Sequence, residues 1–253
     1  MKRALVVGGA NGIGLSIATV LAERQDVEKI YIVDKAAIAE EFMNPKFESY
    51  QFDLTDEDYC IFDKFQDIDT LMITAGFGRL ALFEDIEESM IPLYFNVNTI
   101  PVLRLIKRFY GKLQSHNDFY CGVMVSVAGF MSSPFFSIYG AAKAALKIFI
   151  ESVNVELLKS GYTNQVLNVS PGSLKGTSFD NGKTDLAVTR ELSSEIISHM
   201  EANDDLFIPK YDEIYKEVLR RYHEDFRKEG AHSYDYKLDR LKCNCSVNPV
   251  IVV

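Results

Sequence analysis

A tyrosine and a lysine four residues apart could carry out acid–base chemistry. Tyr139 and Lys143 lie in a stretch, Ser137–Lys159, whose pattern predicts a helix, so both side chains share one face. A nearby ammonium favours the phenolate, so Lys143 is expected to lower the pKa of Tyr139. Such a tyrosine can take a proton from an alcohol or give one to a carbonyl oxygen. A Tyr-x-x-x-Lys pair alone is common on helices and does not establish a site.

Ser126 makes this pair more informative. It belongs to the apolar run Gly122–Val127, which predicts a strand, and it comes thirteen residues before Tyr139. Open α/β sheets bind their ligands at the carboxyl ends of the strands. At that edge the Ser126 hydroxyl could hold a substrate oxygen while Tyr139 exchanges the proton. By itself, such a serine more often only makes hydrogen bonds at its strand end.

A glycine-rich turn near the start of the chain could bind a dinucleotide. It follows an apolar strand, opens a helix and contains Gly8, Gly9, Gly12 and Gly14. Glycines let the backbone approach a pyrophosphate, and the free N–H groups at a helix start attract its charge. Asp34 ends the next predicted strand, where a carboxylate can bind ribose hydroxyls and repel a 2′-phosphate. NAD(H) is therefore the predicted cofactor, with NADP(H) left open because Lys35 could offset that repulsion.

Short apolar runs alternate with helical stretches along most of the chain. Strands are predicted at Ala4–Val7, Lys29–Val33, Phe47–Phe52, Thr70–Thr74, Gly122–Val127 and Val166–Val169. Helices are predicted at Gly12–Arg24, after a cap at Thr55, within Glu87–Leu113, and at Ser137–Lys159, Leu186–Met200 and Tyr211–Lys228. Strands that are apolar on both faces are typical of a parallel sheet covered by helices. The pattern predicts an α/β fold with a doubly wound, Rossmann-type parallel sheet.

The 253 residues are expected to form a single domain, because no linker, repeat or low-complexity segment divides them. Residues 1–175 would form the cofactor-binding and catalytic core. Residues 176–253 are more polar and would form a C-terminal insertion that covers the substrate. Within that insertion, Pro249–Val253 gives a weak strand signal.

Composition narrows the possible functions. The formal net charge of −9 argues against general binding to nucleic acid or to an anionic membrane. The glycines interrupt the apolar start of the chain, which therefore predicts a strand and a helix that are retained, and not a secretory signal. No apolar run approaches the roughly 18 residues that suggest a membrane span. Few, scattered cysteines favour reduced thiols in a cytoplasmic protein, and Cys243-x-Cys245 lacks the neighbours that a metal site needs.

Together these motifs resemble the signature of the short-chain dehydrogenase/reductase family. The matching segments cover roughly residues 1–175 and are Gly8-x-x-x-Gly12-x-Gly14, Ser126-Val-Ala-Gly129, Tyr139-Gly-Ala-Ala-Lys143 and Asn168-Val-Ser-Pro171-Gly172. The resemblance implies that Tyr139 is the acid/base, that Lys143 also binds the nicotinamide ribose, and that Ser126 orients the substrate. It further implies that Asn98 holds a water in a proton relay. Pro101 cannot donate to the carbonyl of residue 97, so the helix should be disturbed beside Asn98.

The resemblance also implies the cofactor contacts. The adenine is expected beside Asp53, and the adenosine beside the turn at residues 75–76. The full implied set is Gly8, Asn11, Gly12, Ile13, Gly14, Asp34, Asp53, Leu54, Ala75, Gly76, Tyr139, Lys143, Pro171 and Gly172.

Several positions depart from the family pattern. Thr74 stands where the family has Asn, and Val7 where it has Thr; both changes are expected to affect rigidity and not chemistry. The threonine expected soon after Gly172 is displaced by one, with Gly176 in its usual place and Thr177 beyond it. Its contact with the nicotinamide carboxamide is therefore in doubt. The glycine-rich final strand of the family is also missing.

The expected reaction is reversible hydride transfer between nicotinamide and a small-molecule secondary alcohol or ketone. One alternative is a catalytically idle member of this fold that senses or scaffolds through dinucleotide binding. Another is a sugar epimerase or dehydratase, although those usually need a larger C-terminal domain. An apolar wall is expected from Phe130, Met131, Phe135 and Phe136. The resemblance also implies a homodimer or homotetramer.

Overall fold

A parallel sheet of seven strands organises the computed structural model, which describes residues 1–174, 176–177, 183–243 and 251–252. The described strands are β1 (Arg3–Val7), β2 (Lys29–Asp34), β3 (Phe47–Gln51), β4 (Thr70–Ile73), β5 (Phe77–Gly78), β6 (Tyr120–Met124), β7 (Val166–Val169), β8 (Leu206–Phe207) and β9 (Ile251–Val252). The large sheet has the order β3-β2-β1-β4-β6-β7-β8, and all its neighbouring strands are parallel. This confirms the predicted doubly wound α/β fold.

Helices cover both faces of this sheet. In chain order they are α1 (Gly12–Glu23), α2 (Met90–Asn98), α3 (Ile100–Arg108), α4 (Tyr110–Leu113), α5 (Ser137–Lys159), α6 (Leu186–Glu201), α7 (Lys216–Glu224) and α8 (Phe226–Cys243). Successive residues of β1 point to opposite faces. Leu5 and Val7 pack with residues of α3 and α5, whereas Ala4 and Val6 pack with residues of α1 and α6. The strand is therefore buried on both sides, as its unbroken apolar run predicts.

The helical region Glu87–Leu113 is broken beside Asn98, as Pro101 predicts. α2 ends at Asn98, Thr99 leaves helical geometry with φ −122° and ψ −63°, and α3 begins with Pro101 in its first turn. The Thr99 hydroxyl donates to the carbonyl of Ala142 in α5 at 3.0 Å. This bond ties the break to the helix that carries Tyr139.

Two predicted helices differ from the observed structure. The helix capped by Thr55 is wrong: the chain forms only a 3₁₀ helix at Cys60–Lys64. Asp53 accepts hydrogen bonds from both the N–H (2.9 Å) and the hydroxyl (2.8 Å) of Thr55, and this local turn competes with helix capping. The predicted helix Tyr211–Lys228 is a π-helical turn, Tyr211–Tyr215, followed by α7 and α8.

The weak strand signal near the end of the chain corresponds to β9, which pairs antiparallel with β5. Residues 244–250 and 253, including Cys245 of the Cys-x-Cys pair, lie outside the described residues. Within the described ranges, no helix has both the length and the apolar character needed to cross a bilayer.

The buried Asn164 side chain should contribute strongly to the stability of this fold. Its Oδ1 accepts from the N–H of Phe119 at 3.0 Å, and its Nδ2 donates to the carbonyls of Lys112, Ser115 and Asn117. Asn164→Ala leaves these groups unpaired and should lower the free energy of unfolding by about 2 kcal/mol. Urea unfolding measures the change. The exposed Asn117 supplies the control, since Asn117→Ala should change stability little; equal effects of the two variants would contradict this role.

Candidate active site

Ser126 lies just beyond the carboxyl end of β6, where the chain turns into a short 3₁₀ helix, Val127–Gly129. Its Oγ accepts the N–H of Ala128 at 3.1 Å and donates to the carbonyl of Pro171, which follows β7, at 3.4 Å. The serine therefore bridges the ends of two neighbouring strands.

Tyr139 and Lys143 approach Ser126 from the first turns of α5. Both side chains are buried, and Tyr139 makes a side-chain hydrogen bond with Ser126. The Lys143 Nζ donates to the carbonyl of Met124 at 2.9 Å and lies 5.7 Å from the centre of the Tyr139 ring. The structure thus brings the hydroxyl, the phenol and the ammonium together at one edge of the sheet.

Glycine at position 129 makes this approach possible. A Cβ there would lie 2.8 Å from the backbone carbon of Lys143 and 3.0 Å from the backbone nitrogen of Ala144. These are backbone atoms, which cannot rotate away as a flexible side chain can. The turn after β6 and helix α5 can therefore pack this closely only because Gly129 has no side chain.

Burial controls the ionisation of both groups on α5. It raises the pKa of Tyr139 above its usual value, and the hydrogen bond with Ser126 opposes that rise. It also lowers the pKa of Lys143 to about 7. The expectation that Lys143 would give Tyr139 a lowered pKa is wrong for this structure. Removing the phenol from water disfavours its charged form, and burial also disfavours the charged form of the lysine that was expected to compensate.

Asn98 lies beside this group at the end of α2 and is fully buried. Its Oδ1 accepts the N–H of Phe77, and its Nδ2 donates to the carbonyls of Phe77 and Tyr94, each at 3.0 Å. A Cβ on Gly76 would lie 2.8 Å from the Asn98 Oδ1 and 3.3 Å from the Lys143 Nζ. Asn98, Gly76 and Lys143 therefore adjoin one another, and the Asn98 side chain fixes the start of β5.

The glycine turn has the geometry that a dinucleotide loop needs. Gly8 and Gly12 have φ values of 86° and 50°, which favour glycine. A Cβ on Gly14 would lie 2.2 Å from the carbonyl oxygen of Gly8, so the turn closes tightly onto α1. The N–H of Gly12 donates to the Thr184 hydroxyl at 2.9 Å. This contact shows that the start of α1 can hold an oxygen acceptor, as a pyrophosphate would require.

Asp34 ends β2 next to this turn. One carboxylate oxygen accepts the N–H of Ala10 at 2.9 Å, and the other accepts the N–H of Ala36 at 3.0 Å. Each oxygen can accept a further hydrogen bond, so the carboxylate is both fixed in place and able to bind ribose hydroxyls. Asp34 also borders a surface depression shared with Ile32, Ala36, Ala37, Ser49, Tyr50 and Gln51.

The other implied cofactor contacts lie along the same edge. Hydrogen bonds from Thr55 hold the pKa of Asp53 below its usual value, and the Leu54 carbonyl accepts the Tyr59 hydroxyl at 2.6 Å. The N–H of Ala75 donates to the carbonyl of Val7 at 3.1 Å, which joins the end of β4 to the glycine turn. These residues, with Asp34 and Gly12, fit a dinucleotide stretched across the carboxyl ends of the strands.

Thr177 and the aromatic residues after β6 occupy specific places. Thr177 is buried, and its nearest atom lies 3.6 Å from the position of a Cβ on Gly12, which places it beside the glycine turn. The ring of Phe136 lies 5.5 Å from that of Tyr139, and the ring of Phe135 packs on Tyr234. Phe136 therefore contacts Tyr139, whereas Phe135 faces α8.

The C-terminal region brings three residues to the site, of which sequence reasoning missed Thr184 and Lys237. Thr184 reaches the glycine turn, Lys237 contacts the loop before α5, and Tyr215 lies over Gly172. A Cβ on Gly172 would lie only 1.7 Å from the Tyr215 hydroxyl oxygen. No local motif marks these residues. Tyr215 differs, because the tyrosines of the segment Tyr211–Lys228 suggest from the sequence a pocket or an interface, with core packing as the commoner reason.

The lowered pKa of Lys143 has a measurable effect on stability. Between pH 7, near its folded pKa, and its ordinary value of 10.5, the unfolded chain binds a proton that the folded chain does not. Wild-type stability should therefore rise relative to Lys143→Met by about 1 kcal/mol per pH unit in that window. Urea unfolding of both proteins between pH 7 and pH 10 tests this. A difference that does not change with pH would contradict it.

The sequence has relatives among known oxidoreductases. YusZ, an oxidoreductase of Bacillus subtilis strain 168, is 26% identical over 221 residues, which cover 80% of this chain and 78% of that protein. Retinol dehydrogenase 8 of Bos taurus is 24% identical over 234 residues, which cover 86% of this chain and 73% of that protein.

Solved structures show the same fold. A short chain dehydrogenase from Burkholderia cenocepacia J2315 in complex with NADP has a TM-score of 0.74 and 20% identity, covering 92% of this chain and 99% of that one. A short-chain dehydrogenase from Streptomyces avermitilis has a TM-score of 0.73 and 19% identity, covering 96% and 100%. The short chain dehydrogenase family model matches residues 2–186. The resemblance drawn from the motifs is thereby confirmed, and the chain belongs to the short-chain dehydrogenase family of oxidoreductases.

Proposed function

We propose that this chain interconverts a secondary alcohol and a ketone by hydride transfer to or from NAD(H). The observation that carries the proposal is the grouping of Ser126, Tyr139 and Lys143 at the carboxyl edge of the sheet, next to the Pro171 turn. In open α/β sheets this edge is where the ligand lies. When bound, the nicotinamide supplies the hydride chemistry, and the protein manages position and proton.

Each residue of the group has a separate task in this proposal. The Ser126 hydroxyl, already exchanging hydrogen bonds with its surroundings, orients the substrate oxygen. The Tyr139 hydroxyl, hydrogen-bonded to Ser126, gives a proton to the carbonyl oxygen during reduction or takes it from the alcohol during oxidation. Lys143 in its charged form stabilises the phenolate that remains after the proton leaves.

Burial supports this assignment although it raises the pKa of Tyr139. A phenol with a raised pKa stays protonated and holds a proton ready for a carbonyl oxygen. The phenolate, once formed, favours a proton on Lys143, whose pKa of about 7 lets it change charge near neutral pH. The phenolate of Tyr139 and the ammonium of Lys143 therefore stabilise each other, so the two groups titrate as a coupled pair.

NAD(H) is the proposed cofactor because Asp34 is anchored as a carboxylate at the end of β2. Both its oxygens accept backbone N–H groups, so it cannot easily turn away from a 2′-phosphate. Like charges in contact cost binding free energy, which disfavours NADP(H). The Burkholderia cenocepacia structure is a complex with NADP, so the fold itself does not exclude NADP(H), and the proposed choice of NAD(H) rests on Asp34.

Replacing the proposed acid/base tests the reaction. Tyr139→Phe removes only the hydroxyl and should lower kcat for ketone reduction by about 10²–10⁴-fold, the usual contribution of a positioned acid–base group. The NADH Kd should change little, because the ring remains. Turnover across a panel of ketones, with NADH fluorescence titration for binding, gives both numbers. Undiminished turnover would refute the role of Tyr139, and NADH binding without turnover in either protein would favour a non-catalytic, dinucleotide-sensing role.

A second experiment tests the cofactor choice. Asp34→Ala removes the repulsive carboxylate and its ribose hydrogen bonds. The Kd for NADH should rise and that for NADPH should fall, moving the preference toward NADPH by about tenfold or more, since each charge-assisted contact contributes at least about 1.4 kcal/mol. The exposed Asp56→Ala is the matched control and should leave both constants unchanged. Wild-type protein that prefers NADPH would contradict the proposal directly.

A further inference from the structure

Helix α8 lies against the loop that leads into α5, the helix that carries Tyr139. A Cβ on Gly230 would lie 3.3 Å from the Ser132 Oγ, and the ring of Tyr234 lies 4.8 Å from that of Phe135. Lys237 contacts the same loop one turn further on. Positions 230, 234 and 237 share one face of a helix, so α8 docks on the loop along a continuous stripe.

Lys237 makes the polar contacts of this stripe. Its ammonium donates to the Ser133 Oγ at 2.6 Å and to the Pro134 carbonyl at 2.9 Å, and it lies 5.3 Å from the centre of the Phe136 ring. Burial lowers its pKa to about 8, so it remains mostly protonated at neutral pH. Hydrogen bonds from a charged donor are stronger than those between neutral groups. The Lys237 ammonium therefore contacts three residues of the loop, Ser133, Pro134 and Phe136.

The loop needs such support. Phe135 has a φ of 67°, in the left-handed region that a bulky residue rarely adopts. Conformations of this kind persist only where the surroundings hold them. The Phe135 carbonyl accepts the N–H of Ala81 at 3.0 Å, and its ring packs on Tyr234, so the strained residue is held from two sides.

The end of the loop sets the position of Tyr139. Phe136 is the residue before α5, its N–H donates to the carbonyl of Ser133 at 2.9 Å, and its own carbonyl accepts the N–H of Gly140 at 2.7 Å. Its ring packs on Tyr139 at 5.5 Å. The first turn of α5, which carries the proposed acid/base, thus continues directly from the loop that Lys237 holds.

We propose that Lys237 is a positioning residue that holds the Ser133–Phe136 loop and, through Phe136, places the Tyr139 hydroxyl. The inference rests on the proposed function, since the effect is on the acid/base of that reaction. Lys237 itself contacts neither substrate nor cofactor in this role. A displacement of about 1 Å in a catalytic group can cost on the order of a hundredfold in rate, so a partial loosening should be easy to measure.

Lys237→Met keeps most of the side-chain volume and removes both hydrogen bonds. It should lower kcat by about tenfold, a partial share of the loss expected for a 1 Å misplacement, and leave the NADH Kd unchanged. Lys237→Arg, which keeps the charge and at least two donors, should recover most of the rate. Lys228→Met is the matched control, because Lys228 is exposed on the same helix. A Lys237→Met kcat equal to that of wild type would overturn the proposal.

Ser133→Ala gives an independent test with little effect on folding. It removes one acceptor of Lys237 and should lower kcat by a smaller factor, about threefold, consistent with the modest net value of one hydrogen bond. Circular dichroism and thermal unfolding check that each variant is folded. A wild-type rate in Ser133→Ala would also overturn the proposal.

A double-mutant cycle shows whether Lys237 acts through Tyr139. Once Tyr139→Phe has removed the hydroxyl, adding Lys237→Met should lower the residual rate by no more than about twofold, because coupled residues are not additive. An equal effect in both backgrounds, or a rise in KM confined to anionic substrates, would overturn the proposal in favour of a direct substrate contact. Failure of the proposed function is distinguishable, since it would leave Tyr139→Phe as active as wild type.

Discussion

The Lys143 ammonium is buried at the edge of the sheet, so the surrounding structure has to compensate for its lost hydration. Burying a charge without compensation costs several kcal/mol, and the structure offsets this with the Met124 carbonyl and by lowering the pKa of the lysine. The backbone must also approach the lysine closely, which requires the absence of side chains at Gly76 and Gly129. The arrangement of Ser126, Tyr139 and Lys143 thus depends on close backbone packing as well as on the side chains themselves.

Hydrogen bonds between neighbouring segments hold the residues around Lys143 in place. The break at Thr99 lets α2 end at Asn98 while α3 continues in a new direction, and the Thr99 hydroxyl binds α5. The Asn98 amide then fixes β5. Ser126 connects the ends of β6 and β7 through the Pro171 carbonyl. Each contact joins two segments that meet at the carboxyl edge, so the site is held by the sheet and its helices together.

Much of the core could be predicted from the sequence because its determinants are local. Apolar runs of strand length mark β1, β2, β4, β6 and β7, and the glycine spacing marks the turn before α1. The break beside Asn98 follows from one proline. The helix predicted after Thr55 does not form, because the Thr55 hydroxyl donates to the Asp53 carboxylate instead of capping a helix. Residue preferences alone do not show which of these two interactions is favoured. The raised pKa of Tyr139 could not be predicted, because the burial that raises it depends on the folded structure and outweighs the charge of the nearby lysine.

The C-terminal contributions could not be predicted because they depend on contacts distant in the chain. Thr184 lies 172 residues from Gly12, and Lys237 lies 104 residues from Ser133. The local sequence around a polar side chain, in a loop like Thr184 or on a helix like Lys237, carries no signal of such a distant partner. Their placement follows only once the sheet order and the docking of α6 and α8 are known.

The left-handed backbone at Phe135 lies between helix α8 and the residue that precedes α5. Phe135 and Phe136 take their positions from α8 and from the chain near Ala81, and the same loop continues into the first turn of α5. A substitution at Tyr234 or elsewhere on that face of α8 therefore changes the surroundings of Phe136 and the start of α5 together. The loop and the position of Tyr139 cannot be altered independently, so evolution, or a protein engineer, has to change this part of the chain by paired substitutions and not by one at a time.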